Sequence, residues 1–99
     1  MSATVASKLV GPVIRGVDDD IIEAVITAAE VDNPDVKLVI EDRGGYVRVQ
    51  AASQFRLTQT SMATALGRPF RLSEIEPSLV SFAGRLESRD EAWVWTIHS

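Results

Sequence analysis

Alternating apolar and polar residues predict a β-hairpin between residues 36 and 51. The segment reads V-K-L-V-I-E-D-R-G-G-Y-V-R-V-Q-A, and its two alternating runs flank Gly44-Gly45, a dipeptide typical of two-residue hairpin turns. The predicted pairs are Leu38–Ala51, Ile40–Val49, Glu41–Arg48 and Arg43–Tyr46. This register puts apolar side chains together on one face and an opposite-charge pair on the other, and a shift by one residue would destroy both.

Helical periodicity occurs on both sides of this hairpin. From Ile22 to Ala29, apolar residues recur at i, i+3, i+4 and i+7 and form one stripe. Asn33-Pro34 ends this helix, because a residue that precedes proline avoids the α region. A second helix is predicted from about Thr58 to Leu66, with Gly67 as its C-cap.

The remaining segments are predicted as strands. Leu9 to Arg15 suits an edge strand, and Gln54 to Leu57 is a short strand. A second hairpin is predicted around a four-residue loop, Ser88 to Glu91. Its expected pairs are Leu86–Trp93, Gly84–Trp95 and Phe82–Ile97. The order βαββ–βαββ predicts an α+β fold, a single compact domain whose mainly antiparallel sheet has helices packed on one face.

Length and composition agree with one small globular domain. The chain has 99 residues, of which 45% are hydrophobic and 24% are charged. We expect residues 1 to 8 to form a flexible N-terminal tail and residues 9 to 99 to form the domain. The net charge of −4 argues against a nucleic-acid partner. No apolar run is long enough to cross a membrane, and no secretory signal is visible, so we expect a cytoplasmic protein.

Residues able to carry chemistry are few. The chain has no cysteine and a single histidine, His98, which lacks partners for a catalytic or metal-binding role. Asp18 to Asp20 could bind a cation, but we favour helix capping, with Asp20 as N-cap and Glu23 completing a capping box. The two tryptophans could form a ligand platform, although core packing is the favoured interpretation. We therefore predict no catalytic residue, no metal and no cofactor.

Two groups of surface residues suggest an interaction module instead. Arg43, Tyr46 and Arg48 share the outward face of the first hairpin, and arginine and tyrosine often anchor interfaces. Arg68 and Arg71 bracket Pro69-Phe70 just after the second helix. Each arginine could equally be a solvated surface residue. The pattern alone thus indicates a small cytosolic interaction module, not an enzyme.

Several segments are similar to those of a known family. They are V-G-P-V-I-R-G (10–16), V-D-N-P (31–34), E-D-R-G-G-Y-V-R-V (41–49), L-G-R-P-F (66–70) and S-F-A-G (81–84). In this order and spacing, they resemble the small effector, or coupling, proteins of bacterial multicomponent soluble diiron monooxygenases. The likeness covers roughly residues 9 to 98. It is closest to the branch that oxidises toluene, other aromatics and small alkenes.

The resemblance implies a cofactor-free regulatory protein with an α+β fold. Such proteins bind the diiron hydroxylase component over the helices that carry its metal site. They alter active-site geometry and substrate access, and they improve rate, regiospecificity and the coupling of NADH oxidation to product formation. In the aromatic branch, a Rieske-type ferredoxin docks on an overlapping face of the hydroxylase, so we expect effector and ferredoxin to compete.

Matching the motifs by position suggests which residues contact the hydroxylase. They are Asn33, Arg43, Tyr46, Arg48, Arg68 and Phe82. Phe82 points inward in the predicted second hairpin and could belong to the core instead. Two other functions stay open at this point: a stand-alone protein-binding adaptor that pairs through a sheet edge, and a small enzyme that uses carboxylates in a cleft.

Overall fold

A computed structural model describes residues 8 to 97, which form seven strands and three helices. In chain order they are β1 (Leu9–Arg15), α1 (Asp19–Asp32), β2 (Leu38–Asp42), β3 (Tyr46–Ala52), β4 (Gln54–Thr58), α2 (Gln59–Leu66), a 3-10 helix (Leu72–Ser78), β5 (Leu79–Ala83), β6 (Arg85–Arg89) and β7 (Ala92–Thr96). Residues 1 to 7 of the predicted tail and His98 lie outside the described range.

The strands form two antiparallel sheets. The first has four strands in the order β2-β3-β1-β5, and the second has three in the order β4-β7-β6. Helix α1 contacts β1 and β3 of the four-stranded sheet, which we call the first layer. It also contacts β4 of the three-stranded sheet and helix α2, which together belong to the second layer. The α+β class and the antiparallel pairing are therefore confirmed, and the structure adds one strand and a second sheet to the predicted order.

The first hairpin has the predicted register. Glu41 lies opposite Arg48 and Ile40 opposite Val49, and the Arg43 N–H donates to the Tyr46 carbonyl at 2.9 Å. Local alternation and the glycine turn were enough to predict this pairing because both strands are adjacent in sequence.

The second hairpin differs from the prediction by two residues. Its loop is the dipeptide Asp90-Glu91, so that Leu86 lies opposite Trp95 and Ser88 opposite Trp93. Asp90 has φ +38°, and aspartate tolerates this left-handed region better than most residues. The tighter turn moves both tryptophans two positions along the partner strand.

Gly84 divides what was predicted as one strand into β5 and β6, which belong to different sheets. Its φ is +93°, and a Cβ there would lie 2.6 Å from both the Thr96 carbonyl oxygen and Val10 Cγ1. The bend places Phe82 opposite Pro12 of β1, and the predicted Phe82–Ile97 pair does not form.

Aromatic side chains fill the space between the layers. Trp95 and Phe55 are fully buried and meet edge to face, with ring centroids 5.5 Å apart. Trp93 is also buried and packs against Trp95 at 5.8 Å. The prediction of core packing for the tryptophans is confirmed.

Two polar residues at the end of α1 tie this helix to the second layer. The Asp32 carboxylate accepts hydrogen bonds from the Thr58 N–H, the Thr58 hydroxyl and the Ser61 hydroxyl at 2.7–3.1 Å. The Asn33 amide accepts from the Arg56 N–H and donates to the Arg56 carbonyl, both at 2.8 Å. We call Asp32 and Asn33 the helix clamp. It fixes α1 against the β4–α2 junction.

The variant Asp32→Asn is expected to destabilise the fold by about 1–3 kcal/mol. The substitution keeps the side-chain shape, but it places an NH2 group against donors that Asp32 now accepts from. Urea unfolding gives the free energy of unfolding. Asp35→Asn, at a nearby exposed carboxylate, is the control and should change stability by less than about 0.5 kcal/mol. Equal stability of both variants would show that the helix clamp contributes little.

Candidate partner-binding surface

The outward face of the first hairpin carries an ordered charge cluster. Glu41 Oε2 accepts a hydrogen bond from Arg43 Nη2 at 2.8 Å, and Oε1 accepts from Arg48 Nη1 at 3.0 Å. The Arg48 guanidinium lies over the Tyr46 ring, 5.4 Å from its centroid. We call Glu41, Arg43, Tyr46 and Arg48 the hairpin cluster. One carboxylate thus holds two guanidinium groups in defined positions.

The two arginines of the cluster change the pKa of Glu41. The hydrogen bond from Arg43 is the largest cause that lowers the pKa of the Glu41 carboxyl group. Desolvation opposes this shift. The positive charge of Arg43, and the hydrogen bond and positive charge of Arg48, lower the pKa further. Glu41 therefore stays ionised near neutral pH. Since it neutralises only one of two guanidinium charges, the cluster keeps a net positive charge on a chain whose overall charge is −4.

Arg15 joins this positive surface, although the sequence interpretation did not select it. It is exposed and lies opposite Tyr46 in the β1–β3 pairing, with Arg15 Nε 3.5 Å from Asp18 Oδ2. This pairing links residues that are distant in sequence, so local alternation could not predict it. The signal available in the sequence was the position of Arg15 within the V-I-R-G segment.

Gly16 holds the tip of the hairpin close to the end of β1. The Gly16 N–H donates to the Gly45 carbonyl at 3.0 Å. A Cβ at residue 16 would lie 1.9 Å from the Gly44 carbonyl oxygen, a distance that no side chain tolerates. The lack of a side chain at Gly16 therefore allows the turn and its neighbours Arg43 and Tyr46 to lie against the β1–α1 connection.

Arg68 lies on a separate part of the surface. It is exposed, its guanidinium stacks 5.5 Å from the centroid of the Phe70 ring, and Nη1 lies 3.5 Å from Glu74 Oε1. With Asp20 and Glu23 of α1, Arg68 borders an open groove between the two helices. Arg68 thus adds a cation to an otherwise acidic helix surface.

Asn33 and Phe82 lie apart from the hairpin cluster. Asn33 is at the C-terminal end of α1, where its amide makes the helix-clamp bonds described above. Phe82 is 43% exposed, yet it also packs edge to face on Trp95, with centroids 6.2 Å apart. The six predicted contact residues therefore do not form one patch, and only Arg43, Tyr46 and Arg48 lie together.

The acidic start of α1 differs in detail from its prediction. The helix begins at Asp19, and its N-cap is Asp18 rather than Asp20, without a side-chain cap hydrogen bond. Within the described part of the chain, no three histidine, cysteine, aspartate or glutamate side chains are grouped to hold a metal ion. Among residues 8 to 97, no helix has the length and apolar character needed to span a membrane.

Comparison with known proteins identifies the family. The model of the MmoB/DmpM family matches residues 8–96. The chain belongs to this family. It is also 45% identical over 88 residues to the effector subunit of the alkene monooxygenase system of Xanthobacter autotrophicus (strain ATCC BAA-1158 / Py2), an alignment that covers 89% of this chain and 85% of the relative.

Solved structures that contain regulatory proteins share the fold. A chain in the structure of a phenol hydroxylase–regulatory protein complex superposes with a TM-score of 0.75 at 24% identity, covering 92% of this chain and all of that one. The soluble methane monooxygenase regulatory protein B gives a TM-score of 0.68 at 21% identity, covering 99% of this chain and 71% of its own. The predicted resemblance is confirmed. This MmoB/DmpM protein is a regulatory component of a monooxygenase system, not a catalytic one.

The geometry of the hairpin cluster leads to a prediction for the pKa of Glu41. Its folded-state pKa lies below the usual 4.5, so ionised Glu41 stabilises the fold above that pH, and this contribution is lost as pH falls through the lowered pKa. Removing the largest cause in Arg43→Gln should raise the Glu41 pKa toward 4.5, as followed by NMR titration of its side-chain carboxyl carbon. Arg89→Gln, which removes the partner of Glu87 on the other sheet, should leave Glu41 unchanged. An unaltered Glu41 pKa in Arg43→Gln would contradict the geometry of the cluster.

Proposed function

We propose that this protein binds the diiron hydroxylase component of a bacterial multicomponent monooxygenase and regulates its turnover in the cytoplasm. The observation that carries the proposal is the hairpin cluster, an ordered surface with a net positive charge whose one carboxylate already bonds to two arginines. Membership of the MmoB/DmpM family and the 45% identity to an alkene monooxygenase effector subunit support it. The reaction chemistry then belongs to the partner.

Regulation without reactive groups works through differential affinity. A protein that binds one hydroxylase conformation more tightly than another shifts the population by as much as its affinities differ. A coupling free energy of about 1–3 kcal/mol, typical of such regulators, changes an equilibrium roughly 5- to 150-fold. Through this shift the protein tunes active-site geometry, rate, regiospecificity and the coupling of NADH oxidation to hydroxylation or epoxidation.

The hairpin cluster is the proposed centre of the contact. Its arginines are already oriented by Glu41, so binding costs less side-chain entropy than ordering free arginines would. Arg15 extends the surface, and Arg68 contributes a second, smaller contact. Phe82 offers an exposed ring edge. Asn33 acts by holding α1 in place, since its amide is engaged within the chain.

Titration of the protein into a reconstituted system tests the proposal. The cognate hydroxylase, its Rieske-type ferredoxin and the reductase are supplied with NADH, and both product and NADH consumption are followed. We expect rate and product per NADH to rise until about one equivalent per hydroxylase site. Large excess should inhibit, because effector and ferredoxin compete for an overlapping face. A flat response with an active hydroxylase would contradict the proposal.

Charge-reversal variants in the same assay test whether Arg43 and Arg48 contact the hydroxylase. Arg43→Glu and Arg48→Glu replace attraction by repulsion at the hairpin cluster, and each should raise the effector concentration needed for half-maximal stimulation by roughly tenfold or more. Arg89→Glu reverses a more exposed arginine on the other sheet and should leave this concentration nearly unchanged. Equal behaviour of all three variants would place the contact elsewhere and leave the regulatory function intact.

A further inference from the structure

Strand β2 has a free edge that carries apolar residues. It pairs with β3 on one side, and no other described strand pairs with it on the opposite side. Val39 and Ile40 are 38% and 45% exposed, and an open groove of about 450 Å³ runs beside the strand, bordered by Pro34, Val36 and Leu38 among others. The strand contains no proline and pairs without a bulge, so it lacks two devices that usually protect sheet edges.

The hydrogen-bond pattern shows which residues of β2 point their backbone N–H and C=O groups toward β3 and which point them outward. The Arg43 N–H bonds to the Tyr46 carbonyl, and hydrogen-bonded and non-bonded pairs alternate along an antiparallel ladder. Val39 and Glu41 therefore direct their backbone groups toward β3. Leu38, Ile40 and Asp42 direct theirs outward, where another strand could pair with them.

We propose that the occupant of this edge is the β2 strand of a second copy of the chain, paired antiparallel about a two-fold axis through Val39. In this register Leu38 of each copy lies opposite Ile40 of the other, and their outward backbone groups exchange hydrogen bonds. Lys37 of each copy lies opposite Glu41 of the other. The two four-stranded sheets then form one continuous eight-stranded sheet.

Charge selects this register among those that the backbone permits. Only residues whose backbone groups point outward, here the even-numbered ones such as Leu38 and Ile40, can exchange hydrogen bonds with the second copy. The allowed registers therefore keep even-numbered residues opposite even-numbered ones. Centring the pair on Ile40 would bring Lys37 opposite Arg43, and centring it on Leu38 would bring Asp35 opposite Glu41. Both alternatives place like charges together, which destabilises cross-strand pairs. Only the register centred on Val39 avoids these like-charge pairs and sets Leu38 opposite Ile40 and Lys37 opposite Glu41; Asp42 then lies opposite Val36.

The dimer should be weak and concentration-dependent. A pairing along five residues is smaller than a standard protein interface of about 1,600 Å². Sedimentation velocity of the full chain over a wide concentration range should show monomer converting to dimer. Ile40→Lys places a charged side chain opposite Leu38 at two points of the pairing and should shift the sample toward monomer. Circular dichroism and thermal unfolding should show that the variant is folded.

Cysteine cross-linking tests the register itself, because the chain has no cysteine of its own. In Val39→Cys the two thiols would meet across the two-fold axis in a non-bonded pair with Cα atoms about 4.5 Å apart, within the range for a disulfide. Val80→Cys is the control, since Val80 is 54% exposed on the edge strand β5. Under mild oxidation the Val39→Cys dimer should form on the order of tenfold faster than the control.

Charge reversal at Lys37 gives an independent test. Lys37→Glu should weaken dimerisation roughly tenfold, because it turns two attractive pairs into repulsive ones. Equal cross-linking of the Val39→Cys and Val80→Cys chains, or a monomer at every concentration, would overturn the proposal. None of these readouts requires the hydroxylase, so the outcome is independent of the proposed regulatory function.

Discussion

The hydrogen bonds of the helix clamp are the constraint on which the arrangement of the two sheets depends. Helix α1 follows directly from β1 of the four-stranded sheet, while Asp32 and Asn33 at its far end bond to β4 and to the first turn of α2. A single helix therefore spans both layers. Its partly buried carboxylate accepts several bonds, and leaving such donors unpaired would cost about 1–3 kcal/mol. This attachment fixes the C-terminal end of α1 relative to β4 and α2.

Given that framework, the first hairpin presents a surface whose side chains are already in place. Gly16 lets the turn lie against the start of the β1–α1 connection, and Glu41 orients Arg43 and Arg48. Such a surface needs little reorganisation on binding, which favours recognition of one partner conformation over another. This is the property that a regulator without reactive groups requires.

The sequence predicted what depends on local pattern and missed what depends on distant pairing. Helix α1 follows from apolar periodicity, the end of α2 from Gly67, and the register of the first hairpin from alternation and Gly44-Gly45. The division of a strand at Gly84 and the pairing of β1 with β3 arise from contacts between remote segments, which alternation does not encode. Motif resemblance grouped Asn33 with the hairpin arginines, but the structure engages its amide in the helix clamp. Membership in a family pattern and location on a surface are therefore separate properties of a residue.

Hydrogen–deuterium exchange of the protein, free and bound to its cognate hydroxylase, tests most directly whether the hairpin is the regulatory surface. Backbone amides of an edge hairpin exchange through local opening, and a partner that covers it slows that opening. Slower exchange on binding across residues 39 to 48, with little change in β6 and β7, is the result that this account predicts. Protection confined to β6 and β7, with the hairpin unchanged, would contradict it.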